Sequence, residues 1–393
     1  MCETNLAMGS IIQSFERITK YTCLKSRRYQ LDYERASMVD FDDNLDQQYV
    51  SQPGERSFHA GTKSVYEMAS MWAKQESPLC YFLDGSRRTY KIEDFPINSQ
   101  CLPMIAGQVG VGVCERVNRQ LRPWGNFKLK NVLAVTVKLH RDGSSAESHN
   151  AYFANLRDQI NADAAAHSLH FLALDELLYY QGQIGDNFED KAIARIQDYM
   201  IEQEKRKVAE LVQAKCLSDD AWLLKDGSLE YAKINRKDDE FVFNNIRSNY
   251  QHVIGVSKSF NPELARMKNN QSASLIIAKL KQFERTPAFK YRTDRVDGEF
   301  AIWYLRIRDS HNYNQSPFDG VVKVEKVLVS PDERENGLAT EEVDNISSWI
   351  VNERNPVCYG KDSRWQNHLY PVYLTEQFVK SRYMSTEHFT NLF

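Results

Sequence analysis

Apolar positions in the first 75 residues recur at helical spacing, as Leu6, Ile11, Ile12, Phe15 and Ile18, then as Val65, Met68, Ala69 and Trp72. An acidic run, 40–46, lies between them. This pattern predicts an N-terminal helical segment, residues 1–75, built around a polar connection. From residue 79 the period changes. The apolar stretch 79–83 stops at Asp84-Gly85-Ser86, a returning strand is expected at 89–92, and 104–114 and 131–139 extend an antiparallel meander. Gly107, Gly110 and Gly112 lack the order of a phosphate loop and predict a flat strand or bulge. Helices are expected at 152–160, 169–180 and 191–215. Strands follow at 221–225, 252–257, 299–308 and 321–329, and helices close the chain near 341–352 and 371–383. This order of elements predicts an α/β fold with a mixed sheet flanked by helices.

Composition supports a large core. Of the 393 residues, 42% are hydrophobic and 11% aromatic, which excludes wholesale disorder and allows one elaborated domain or two smaller ones. No apolar run approaches the roughly 20 residues of a membrane-spanning helix, so no membrane association is expected. Glu3, Glu16, Arg17 and Lys20 interrupt the N-terminus, unlike a signal peptide, and the chain reads as soluble and cytoplasmic. Seven cysteines without a C-x-x-C pair argue against a zinc ribbon, a disulfide scaffold or a thioredoxin-type motif. A net charge of -3 offers a polyanion little long-range attraction, although Lys25-Ser26-Arg27-Arg28 and Lys205-Arg206-Lys207 are local basic clusters.

The candidate chemistry lies in carboxylates that interrupt apolar segments. Asp-Gly-Ser occurs at 84, 142 and 226. Asp142 follows Lys138-Leu139-His140-Arg141 and reads as a hairpin turn. Asp84 and Asp226 each end an apolar strand, which is raw material for a metal site in an α/β sheet and equally the chemistry of a turn. Glu204 falls within the stripe Ile193, Ile196, Met200, Val208 and Leu211. A core-facing carboxylate must meet either a cation or a metal, and the spacing leaves both open. If Asp84, Glu204 and Asp226 converge, their oxygens select Mg²⁺ or Mn²⁺, ions suited to phosphodiester hydrolysis.

Several segments, in order, resemble the NurA family of nucleases: Phe82-Leu83-Asp84-Gly85-Ser86, Met200 to Glu204, and Asp226-Gly227-Ser228-Leu229. They continue with Val253-Ile254-Gly255-Val256-Ser257-Lys258, Trp303-Tyr304-Leu305-Arg306, Val324-Glu325 and Tyr370-Pro371-Val372-Tyr373-Leu374. The resemblance spans about residues 79 to 384. It implies a ribonuclease H-like nuclease domain over 76–393, with a helical insertion at about 118–190. It also implies metal ligation by Asp84, Glu204 and Asp226, with Lys258 and Tyr370 as further catalytic residues. The family's histidine eight residues beyond the tyrosine is here Phe378, with His368 and Glu376 nearby as substitutes. By resemblance the protein would be a Mn²⁺- or Mg²⁺-dependent DNA nuclease acting on single strands and ends. It would work as a homodimer with a HerA-type hexameric ATPase, in end processing or defence against foreign DNA. No Walker sequence is present, so a motor must be a partner. The competing expectation is a non-catalytic adaptor that binds DNA or the motor.

Overall fold

The structure, a computed structural model, describes residues 10–31, 47–57, 61–97, 99–140, 143–167, 172–183, 185–229, 247–262, 272–293, 296–308, 316–358 and 365–393. The expectations at Leu6, at the acidic run 40–46 and at Asp142 lie outside the described residues.

The segment 1–75 contributes strands as well as helices. Its elements are α1 (Ser10–Thr19), β1 (Leu24–Gln30), β2 (Gln47–Pro53), β3 (Lys63–Ser64) and α2 (Tyr66–Trp72). All three strands join the main sheet, β1 on β4 (Leu79–Ile97), β2 on β12 (Phe289–Thr293) and β3 on β11 (Glu284–Arg285). The break expected at Asp84-Gly85-Ser86 is absent. Those three residues pair with Gly112, Val111 and Gly110 of β5 (Gln100–Val117), so the 19-residue β4 runs straight through them.

Next come β6 (Gln120–Pro123), β7 (Lys130–Thr136), α3 (Ala146–His167), β8 (Glu176–Tyr180), α4 (Phe188–Gln213), β9 (Trp222–Asp226) and β10 (Val253–Ser257). The helix expected over 169–180 is therefore partly a strand. Leu177 to Tyr180 pair in parallel with β7, whose exposed edge outweighs local periodicity. The remaining elements are α5 (Ser274–Ala278), β13 (Val296–Arg306), β14 (Val321–Val327), α6 (Pro331–Asn336), α7 (Thr340–Asn352), α8 (Tyr370–Lys380) and α9 (Thr386–Asn391). Together they form a mixed sheet ordered β2-β12-β13-β14-β10-β9-β4-β5-β7-β8. Within β8-β7-β5-β4-β9-β10 only β5 is reversed, and the other half is an antiparallel meander.

Strand alternation divides the core. Leu83, Leu223 and Val253 face Ile196, Met200, Val208 and Leu211 of α4. Phe82, Leu224 and Ile254 face the other way, toward Ile346 and Ile350 of α7 and Val372 of α8. Beyond them Ile11 and Phe15 of α1 are buried against Phe153 and Ile160 of α3 and against Phe389 and Phe393. The apolar face of α1 is thus satisfied within its own chain. Among the described residues no helix is long and apolar enough to cross a membrane.

The meander end is fixed by a buried charge network. Arg285 on β11 holds Glu55 Oε2 at 2.9 Å and Asp344 Oδ1 of α7 at 2.7 Å, and its side chain is 1% exposed. Removing one partner strands a buried charge. Glu55→Ala is expected to lower the unfolding free energy by about 3–5 kcal/mol, read as a fall in the urea midpoint. An unchanged midpoint would show that the network carries no stability.

Candidate active site

The site forms where the sheet opens. β9 runs parallel to β4 with Lys225 opposite Leu83, and parallel to β10 with Asp226 opposite Val256. Asp84 is the next residue of β4 and Asp226 the last of β9, so the two are neighbours on the face covered by α8. β4 then continues without β9 and meets β1 from Tyr90 onward.

Asp84 is 5% exposed, and its Oδ2 has no hydrogen-bond partner among the described residues. Burial, reinforced by the Asp226 carboxylate, pushes its carboxyl well above the usual range, and Lys258 only partly offsets this. Burial pushes Asp226 the same way, but the Lys258 ammonium, 2.9 Å from Oδ2, holds it below the ordinary value. Lys258 also reaches Glu376 Oε2 of α8 at 3.7 Å, and Lys380 takes the other oxygen at 2.7 Å. These two lysines outweigh burial and keep Glu376 acidic. Lys258 is itself positioned through its carbonyl, which accepts a hydrogen bond from Asn367 Nδ2 at 2.8 Å.

Glu204 reaches the same strands from the other face. It lies in the buried stripe of α4, as its spacing predicts, at 4% exposure. Its Oε1 rests on Gly85, where an added Cβ would stand 2.3 Å away, so only glycine leaves room for it. Its Oε2 meets Lys225 Nζ at 2.8 Å, and Lys225 donates onward to the carbonyls of Asp226 and Ser228 at 2.9 and 3.1 Å. Between the cation and the metal that the spacing left open, the described contact is a cation. Burial still leaves the Glu204 carboxyl raised.

The structure therefore brings Asp84, Asp226, Lys258 and Glu376 together and sets Glu204 with Lys225 across the strand plane. Among the described residues no three His, Cys, Asp or Glu side chains are arranged to hold a metal ion. His368 is buried, edge-on to Tyr373 with ring centres 5.9 Å apart, and Tyr370 opens α8 with its N–H on the Glu353 carbonyl. Phe378 turns to the other side of α8, over Gly112 and against Phe127. Glu325 pairs with Lys323 and also accepts from Ser228 Oγ and the Leu229 N–H, at 2.9 and 2.7 Å, which fixes the turn after Asp226.

Two positioning residues escaped sequence reasoning. Lys225 had a signal, since a lysine inside Trp222-Leu223-Leu224-Lys225 on an inward face requires a partner. Asn367 had none.

The raised Asp84 carboxyl sets a sign for the pH dependence. At neutral pH the unfolded chain ionises Asp84 readily while the folded chain resists, so this residue costs stability as pH rises. Asp84→Asn is expected to stabilise the metal-free protein. The gain should grow as pH rises above the ordinary carboxyl range and level off once the folded carboxyl ionises. Urea titrations of both proteins from pH 3 to 8 test this, and a gain no larger at pH 8 than at pH 3 would contradict it.

No family model matches this chain, and no curated protein is similar enough in sequence to count as a relative.

Proposed function

We propose that the chain is a metal-dependent deoxyribonuclease on a ribonuclease H-like core. The observation that carries this reading is the buried Asp84 Oδ2, without a hydrogen-bond partner among the described residues, beside Asp226, where β9 ends against the continuing β4. The strand run β7-β5-β4-β9-β10, with only β5 reversed, fits the fold that the motif resemblance implies.

The donors suit a hard divalent ion. Asp84, Asp226 and Glu376 present only carboxylate oxygens on one face, and an orphaned buried oxygen beside a second carboxylate is relieved by either a proton or a cation. These residues would hold Mg²⁺ or Mn²⁺ only after their side chains rearrange, since among the described residues no three are arranged around one ion, and Lys258 would give up part of its hold on Asp226. Glu204, paired with Lys225 on the other face, stands outside this group. When bound, such an ion supplies charge stabilisation to a phosphodiester under displacement. Lys258, between Asp226 and Glu376, offers a substrate phosphate a point charge. The pair Glu204 and Lys225 anchors the end of β9 from below. DNA single strands or ends as substrate, a homodimeric state and a HerA-type hexameric ATPase as motor rest on the motif resemblance. The net charge of -3 and the missing Walker sequence support dependence on a partner.

A second reading, the non-catalytic adaptor, is favoured by the lysines. Lys258 on Asp226 and Lys225 on Glu204 already balance two of the three expected ligands.

Cleavage of end-labelled single-stranded DNA with Mn²⁺ or Mg²⁺ separates the two readings. We expect cutting that EDTA abolishes and that Asp84→Ala or Asp226→Asn reduces on the order of a hundredfold or more, equivalent to about 2.7 kcal/mol. Binding without cutting under every divalent ion would select the adaptor.

The motor dependence has its own test. Duplex degradation is expected to be weak for the isolated protein and strong when a HerA-type ATPase and ATP are added, with no stimulation by a hydrolysis-defective ATPase. Equal degradation with and without ATP would remove the motor from the proposal and leave the nuclease in place.

A further inference from the structure

Two guanidinium groups lie over aromatic rings at the end of α8 beside the site. The Arg88 guanidinium carbon is 4.7 Å from the centre of the Tyr383 ring, and that of Arg382 is 5.3 Å from the centre of Phe378. Arg88 follows Asp84 by four residues on β4, so it shares the Asp84 face at about 13 Å along the strand. Glu376, Lys380 and Tyr383 recur at intervals of four and three along α8 and the turn after it, so one stripe leads from Lys258 to the Arg88 platform. Phe378 rests over Gly112, the residue opposite Asp84, and Arg382 is exposed. Arg88 thus shares the face of the buried carboxylates, and Arg382, on Phe378, stands across α8 from the Glu376–Lys380 stripe.

A guanidinium with one side on a protein ring keeps its other side for a planar ligand, and its charge favours an anionic one. Flat rings alternating with negative charge describe an unpaired strand of nucleic acid, whose bases have free faces. A duplex, with its bases stacked on one another, offers none. We propose that Arg88 and Arg382, seated on Tyr383 and Phe378, are stacking platforms for unpaired bases of a nucleic-acid strand whose backbone passes Lys380. The destination of that strand at Asp84 and Asp226 rests on the nuclease reading; the binding itself does not.

Fluorescence anisotropy with a labelled oligothymidylate in EDTA reads binding without cutting. The pair Arg88→Ala with Arg382→Ala is expected to raise Kd about tenfold or more, with an unchanged thermal melt. Arg88→Lys with Arg382→Lys keeps the charge and loses the plane. It should bind oligothymidylate more weakly than the wild type while binding an abasic strand of the same length equally well. Wild-type affinity in the lysine pair or the alanine pair, an equal preference for duplex, or no binding of oligothymidylate by the wild type at micromolar concentration would each overturn the proposal. Weakened binding in the variants with no cutting by the wild type under any divalent ion would sink the nuclease and leave the platforms standing. Cutting by the wild type with undiminished affinity in the variants would do the reverse.

Discussion

Two carboxylates buried side by side cannot both stay ionised unless positive charge is placed against them, and the centre of this molecule is arranged around that constraint. Asp84 and Asp226 meet because β9 ends one residue past its pairing with Leu83. The compensating charge comes from two lysines on opposite sides of the sheet. Lys258 addresses Asp226 from the α8 side, and Lys225 addresses Glu204 from the α4 side. Gly85 makes room for Glu204, Asn367 fixes Lys258, and Glu325 fixes the turn that follows Asp226. Each of these contacts keeps a charge opposite its partner in a region with little water.

The same constraint specifies register. Lys225 and Asp226 are adjacent on one strand and so point to opposite faces. A one-residue slip of β9 would bury the lysine against Lys258 and turn the carboxylate toward Glu204. A one-residue slip therefore buries like charges together, a penalty that apolar strands alone would not impose. Buried ion pairs are weak sources of net stability, and selection among alternative pairings is the role this arrangement suits.

Periodicity was legible where packing follows it. The α4 stripe reads directly from Ile196, Met200, Val208 and Leu211, including the buried Glu204, and β9, β10, β13 and β14 fall close to their apolar runs. What failed depended on partners distant in sequence. Asp84-Gly85-Ser86 resembles a turn until β5 places Gly112, Val111 and Gly110 opposite it, and 177–180 looks helical until β7 supplies a parallel edge. In the site, the strand end at Asp226 could be read from the sequence, whereas Asp84 lies inside β4 and meets Asp226 because β9 stops beside it. The side of the sheet from which Glu204 arrives could not be read, because it depends on where α4 crosses.

The Asp-Gly links at Asp84 and Asp226 have a consequence for chemical ageing. In a flexible chain the peptide nitrogen of glycine attacks the preceding aspartyl carboxyl, closing a succinimide that reopens largely to isoaspartate. Here the Gly227 N–H is engaged by the Val256 carbonyl at 2.8 Å, and Gly85 lies inside a paired strand. The fold thus withholds both nitrogens from ring closure. Isoaspartate at these two positions would then accumulate only in molecules that have opened, which makes it a chemical record of how often this sheet comes apart.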